Sequence, residues 1–305
     1  MMKFHSNGKF LITGEYMVLY GARALAIPLR SGQSMLIEES EQKNLIEWTV
    51  SDIRGKWFQA SLSLPDFNIL ETTDHSKGLF LQKVLLAARE LNPHFLSSDQ
   101  GYWVDNLIEF ERNWGMGSSS SFIANLSQWA RVDPLDIHKR ISSGSGYDIA
   151  CALSEKPIIF HKTFEGHTID KINWVPTYRK HMAFIYLGKK QDTNDSLEEF
   201  KHLDFKDQDL KRISGITDEF WLVNNEIDSI SRIWEHEEIM ARILKQSPIQ
   251  DKLFRDFNGA VKSLGAWGGD FVLAVGKQKF KKIRKYFQSK GFNTILSWDD
   301  LIIEN

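Results

Sequence analysis

The sequence predicts an α+β protein built as two domains, and three observations carry that prediction. β-forming residues alternate with polar ones through the first third of the chain, helical periodicity takes over from about residue 78, and the strand–helix pattern restarts near residue 157. A chain of 305 residues is long enough for one large domain or two modest ones. The division falls near 155–175, giving an N-terminal domain over 1–165 and a C-terminal domain over 166–305.

In chain order, KFLITG (9–14), ALAIPL (24–29), SMLIEE (34–39) and LIEWTV (45–50) read as strands, and GKWFQASLSL (55–64) follows through an Arg54–Gly55 turn. GLFLQKVLLAARELN (78–92) is the first clear helix: Leu81, Val84, Leu85 and Ala88 share a face, and Asn92–Pro93 stops it. YWVDNLIEFE (102–111) returns to strand. Phe122, Ile123, Leu126 and Trp129 then recur at helical spacing, so Ser118, Ser119, Ser120 and Ser121 fall at the junction of a glycine-containing loop and a helix. DPLDIHKRI (133–141) starts a helix with Asp133 as N-cap and Pro134 in the first position. GYDIACALS (146–154) reads as helical, PIIFHK (157–162) and HMAFIYLG (181–188) as strands, and about 195–246 as a helical region broken near Gly215. FVLAVG (271–276) is a buried strand, KQKFKKIRKYFQSKG (277–291) an amphipathic helix closed by Gly291 with its charges on a solvated face, and NTILSW (293–298) a last strand.

Hydrophobic residues make up 42% of the chain, charged residues 26%, and the net charge is −2, a balance that argues against disorder and against a dedicated nucleic-acid binder. The single cysteine, Cys151, excludes a disulfide within the chain and a metal site of several thiolates. MMKFHSNGKF has no apolar stretch of signal-peptide length, and runs such as FVLAV are too short to span a bilayer. These features lead to the expectation of a cytoplasmic protein that acts on a small molecule and engages neither membrane nor nucleic acid; oligomeric state is not legible.

Four stretches carry chemistry. In GMGSSSS (115–121) the glycines let backbone approach a ligand, the first helix amides lack internal partners, and the hydroxyls add donors and a Mg²⁺ ligand, which together would hold a polyphosphate; an over-capped helix is the plainer alternative. No G-x-x-x-x-G-K-[ST] or G-x-G-x-x-G is present. In GSGYDIACA (144–152), Asp148 is either a helix cap or a carboxylate that orients and deprotonates a hydroxyl. KSLGAWGGDF (262–271) sets three glycines before a buried strand, a pattern of tight turns or close approach. NGKFLITGEY (7–16) is a strand ending in Gly14–Glu15 with Lys9 at its start. HEEIM (236–240) lacks the second histidine of a zinc-protease helix and reads as a solvated face.

In order and spacing these stretches resemble the GHMP kinase superfamily, which includes galactokinase, homoserine kinase, mevalonate kinase and phosphomevalonate kinase. GKFLITGEY, GMGSSSS and KSLGAWGGD look like its three motifs, and SGSGYD is similar to its S-G-x-D element, over residues 8 to about 276. The resemblance implies an N-terminal domain like domain 2 of ribosomal protein S5, a ferredoxin-like C-terminal domain, and ATP with Mg²⁺ in the cleft between them. It implies that Asp148 accepts or orients the substrate hydroxyl proton, that Lys9 stabilises the transferring charge, and that Ser119 ligates Mg²⁺. By the same resemblance Gly115, Gly117, Ser118 and Ser120 surround the phosphates, joined by Gly265, Gly268 and Gly269 of the third motif.

Three departures stand out. The glutamate that gives mevalonate kinases a second Mg²⁺ ligand is replaced by Ile137, with Asp136 one position away as substitute ligand or helix cap. Trp267 replaces a small residue, so the third loop bends differently or lines a pocket. Arg112, Asn113 and Trp114 stand where a proline is usual. GEY, GSGYD and GAWGGD lean towards phosphomevalonate kinase, with mevalonate kinase close behind. Lys262 and Arg140 are candidate cations for a phosphorylated acceptor, with ordinary surface residues as the plainer alternative. Another small alcohol, such as a sugar or homoserine, and a catalytically degenerate nucleotide-binding protein are the alternatives.

Overall fold

A computed structural model describes residues 1–188, 204–265, 267 and 269–302. The chain forms two compact units that no single cut separates: residues 1–8, 31–112 and 116–153 make one, and residues 9–30, 113–115 and 154–305 the other. The last residue of the first unit is Leu153. The second also takes 9–30, because the first two strands run from one unit into the other, and 113–115, which contact Lys9, Tyr186 and Phe271.

In the first unit the β2 (Ala24–Ser40) segment 33–40 pairs antiparallel with β6 (Gly101–Ile108). β3 (Leu45–Asp52) lies parallel to β6 and antiparallel to β4 (Gly55–Ser63), and β5 (Ile69–Thr72) closes the edge. β1 (Met2–Thr13) also pairs with β2. Alternation puts Ile46, Trp48, Phe58, Leu62 and Val104 on the buried face. Four helices complete the unit: α1 (His75–Leu91), α2 (Ser118–Ala130), α3 (Pro134–Ile141) and α4 (Tyr147–Ala152). Trp48 meets Phe122 of α2 edge-on at 5.8 Å, which fixes the helix to the sheet. α2 in turn packs against α1, α3 and α4.

In the second unit, residues 24–26 of β2 pair with β7 (Ile158–Lys162), which pairs with β8 (His167–Lys171). A four-stranded antiparallel sheet has the order β10 (Gly259–Leu264), β11 (Phe271–Gly276), β9 (Met182–Tyr186), β12 (Ile295–Leu296). Its helices are α5 (Asp207–Phe220), α6 (Glu226–Leu244), α7 (Ile249–Leu253), α8 (Phe280–Ser289) and α9 (Trp298–Leu301). Ile185, Val272 and Ala274 of the sheet share a core with Phe254, Ile283 and Phe287. Among the described residues no helix is long and apolar enough to cross a membrane.

ALAIPL and SMLIEE turn out to be one continuous strand. The helical region breaks at 221–225, where Asn225 caps α6 by accepting from the Asp228 amide, and not at Gly215, which lies inside α5. The expected stretch 195–203 lies outside the described residues. The last strand shrinks to two residues because Ser297 caps α9 directly after it.

Candidate active site

α1, α3 and α6 each begin with an Asp or Asn whose side chain accepts from a first-turn amide. α2 does not: its cap is Gly117 in the left-handed region at φ 93°, with no side-chain acceptor. The serines do not cap it. Ser120 and Ser121 are buried and donate their hydroxyls back to the Gly117 carbonyl at 2.9 and 3.0 Å, while Ser121 also donates to Gln33 Oε1 at 3.0 Å. Ser118 is half-buried and Ser119 exposed. The end of α2 therefore offers first-turn amides, a favourable dipole and the Ser119 hydroxyl to an external anion.

α4, which packs on α2, carries Asp148 half-buried in its first turn. The loop that delivers it is fixed from α3. Gly146 has φ +86°, and a Cβ there would lie 2.7 Å from Leu135 Cδ2. The first unit thus brings together Gly117, Ser118, Ser119, Ser120 and Asp148 on two packed helices. Asp136, in the first turn of α3, is partly exposed and pairs with Lys139 at 2.9 Å. A metal would have to displace that ammonium. Among the described residues no group of three or more His, Cys, Asp or Glu side chains is placed to hold a metal.

In the second unit residues of all three motifs meet. Lys9 Nζ donates to the Gly115 carbonyl at 3.3 Å. Gly115 has φ +64°, and a Cβ there would fall 1.8 Å from Asp270 Oδ2, so any larger residue would be strained and would have to displace that carboxylate. Trp114 stands in place of the usual proline and packs on Tyr186 and Phe271, with ring centroids 6.0 and 5.8 Å away. Tyr186 Oη donates to the Asn113 carbonyl at 3.3 Å. Aromatic packing holds this segment where ring closure would otherwise stiffen it. Gly265 faces open space, Gly269 is buried, and Gly268 lies outside the described residues. Trp267 is buried with Tyr16, Met17, Ile213, Met240, Ile243 and Leu244, and its amide donates to Tyr16 Oη at 2.8 Å.

Two sequence readings need correction here. Lys262 is not a cleft cation: it is fully buried and donates to Glu15 Oε1, itself 1% exposed. Nor is HEEIM a solvated face. His236 is fully buried with Nε2 3.1 Å from Glu15 Oε2 and Nδ1 3.3 Å from Glu237 Oε1. Burial pushes the Glu15 carboxyl up, but Lys262 and His236 outweigh it and hold the group below its ordinary value. Burial likewise opposes charge on His236, and Glu15 and Glu237 outweigh it and raise the imidazole. The signal for His236 and Glu237 was spacing: they share the helical face of Ile233, Met240, Ile243 and Leu244.

The fold is that of the GHMP kinases. The chain is similar to Methanococcus jannaschii mevalonate kinase (TM-score 0.71, 19% identity, covering 100% of this chain and 98% of that one). It is similar also to Streptococcus pneumoniae phosphomevalonate kinase in complex with phosphomevalonate and AMPPNP (TM-score 0.72, 14% identity, 97% and 100%). Lactococcus lactis galactokinase complexed with galactose shares the fold at TM-score 0.67 and 12% identity, covering 97% and 92%. No protein-family profile and no curated protein sequence matches the chain.

Proposed function

We propose that this protein is an ATP-dependent kinase that transfers the γ-phosphoryl group to a small alcohol or phosphate acceptor, with mevalonate and 5-phosphomevalonate as the first acceptors to test. The observation that carries the reading is the meeting of Lys9, Gly115 and Asp270, one residue from each motif of the resemblance. The glycine-capped end of α2 supports it from the first unit.

Phosphoryl transfer is catalysed by positioning and by neutralising charge. The first-turn amides of α2 would hold the ATP phosphates, and Asp148 would orient the acceptor hydroxyl and take its proton. Lys9 would stabilise charge on the transferred group. Mg²⁺, a hard cation that keeps waters and phosphate oxygens as ligands, needs one or two protein oxygens, and the exposed Ser119 hydroxyl suits it; Asp136 would serve only by giving up Lys139. When bound, the ion neutralises phosphate charge.

Between the two acceptors, the burial of Lys262 removes one of the two cations considered for the phosphorylated one. A phosphate on the acceptor wants exposed cations, Lys262 is committed to Glu15, and Arg140 lies 3.4 Å from Glu90. A coupled ADP-release assay with Mg·ATP tests the reading against mevalonate, 5-phosphomevalonate, homoserine, galactose and a blank. Turnover on mevalonate is the expected result. Turnover only on homoserine or galactose keeps the mechanism and overturns the substrate, and no ADP from any acceptor contradicts the proposal.

A further inference from the structure

We infer that Tyr16, Trp267 and the buried Glu15–Lys262–His236 cluster form a clasp in the second unit that fixes the turn after β1 to the loop after β10, and so holds Lys9 and Asp270 against Gly115. The clasp has two links from the turn after β1, one to β10 itself and one to the loop that follows it. One is ionic: Lys262 Nζ donates to Glu15 Oε1 and, at 2.9 Å, to the Ser263 carbonyl. His236 closes the other side of Glu15 and lies 3.2 Å from the Gly14 amide nitrogen. The second link is the hydrogen bond from the Trp267 amide to Tyr16 Oη, sealed by the Trp267 indole in its apolar cluster.

Several features argue that these groups set position and do more than add stability. Glu15, Lys262, His236 and Glu237 are all buried, and desolvating charged side chains consumes most of what their pairing returns; apolar residues would stabilise such a site as well. Tyr16 also holds a positive φ of 57°, uncommon outside glycine, in the turn the clasp grips. Both segments lead directly to Gly115. β1 carries Lys9 six residues before Glu15, and Asp270 follows Trp267 by three. Sliding either segment would move Lys9 Nζ or Asp270 Oδ2 off Gly115.

The clasp residues touch no reacting atom in this account and are positioning residues; their effect on turnover rests on the kinase reading above. The test uses the full chain with Tyr16→Phe, which removes one hydroxyl, and with the double variant Glu15→Gln/Lys262→Met, which removes both charges together. Three readouts are taken: kcat and KM for ATP, thermal unfolding, and hydrogen exchange of the Trp267 amide by NMR. For Tyr16→Phe the expected result is a kcat about tenfold lower, KM for ATP within about twofold, and Trp267 exchange about tenfold faster. The double variant is expected to unfold near the parent's temperature yet keep a depressed kcat. Parent-like kcat in a stably folded double variant would show a merely structural cluster and overturn the inference. Unchanged Trp267 exchange in Tyr16→Phe overturns it as well. If the parent turns over no acceptor, the kinase reading fails while the exchange measurement still decides the clasp.

Discussion

Four successive serines cannot share one side of a helix, because each residue turns the chain by about 100°. Two of them, Ser120 and Ser121, face inward and tie α2 to the Gly117 carbonyl, which leaves Ser118 and Ser119 to a ligand. The sequence marked the row but not this division, since identical residue types carry no inside–outside contrast. Ser119→Ala should therefore raise the Mg²⁺ concentration needed for half-maximal turnover; an unchanged metal dependence would remove Ser119 from the metal shell. Gly146 makes the second prediction. Alanine there would meet Leu135 at 2.7 Å in a left-handed backbone, a cost on the order of 1–3 kcal/mol, so the urea midpoint should fall. A Gly146→Ala midpoint equal to the parent's would mean the loop before Asp148 is not held from α3.

Elements were legible where one face is buried and opaque where neither is. β3 and β4 alternate cleanly, whereas β5 and β8 carry almost wholly partly buried or exposed residues and gave no periodic signal. On α6 the apolar spacing was present, but His236 and Glu237 masked two positions of the buried face, because charged side chains are rarely buried unless paired. The partner of His236, Glu15, lies 221 residues earlier in the chain, a separation no local pattern reveals. This junction of α6, β10 and the turn after β1 makes a pH prediction. Glu15, with its carboxyl held low, contributes stability present above the ordinary carboxylate range and lost as pH falls through its depressed value. His236, with its imidazole raised, contributes stability fully present below the ordinary imidazole range and lost as pH rises through the raised value. Melting temperature should thus decline as pH rises above the ordinary imidazole range in the parent and lose that step in His236→Gln. Identical alkaline profiles would show that His236 is not charged in the folded state.

For the whole molecule, the fold is shared where overall identity is not: the neighbours named above are 12–19% identical, yet cover nearly the entire chain. Glycines at 115 and 146 are favoured by close approach and backbone sign. Exchange of 9–30 between units is set by tertiary pairing of β1 and β2, and that of 113–115 by contacts with Lys9, Tyr186 and Phe271, and neither leaves a composition shift in the sequence. That exchange places Lys9, Gly115 and Asp270 in one unit and the α2 end with Asp148 in the other. The central claim is phosphoryl transfer to an acceptor hydroxyl with Asp148 as its base, and it is tested most directly by Asp148→Asn. Mg·ATP binding by calorimetry and turnover on the acceptor found for the parent would be measured on the same preparation. The account predicts binding close to the parent's and turnover lower by on the order of 10²–10⁴; near-parent turnover would contradict it.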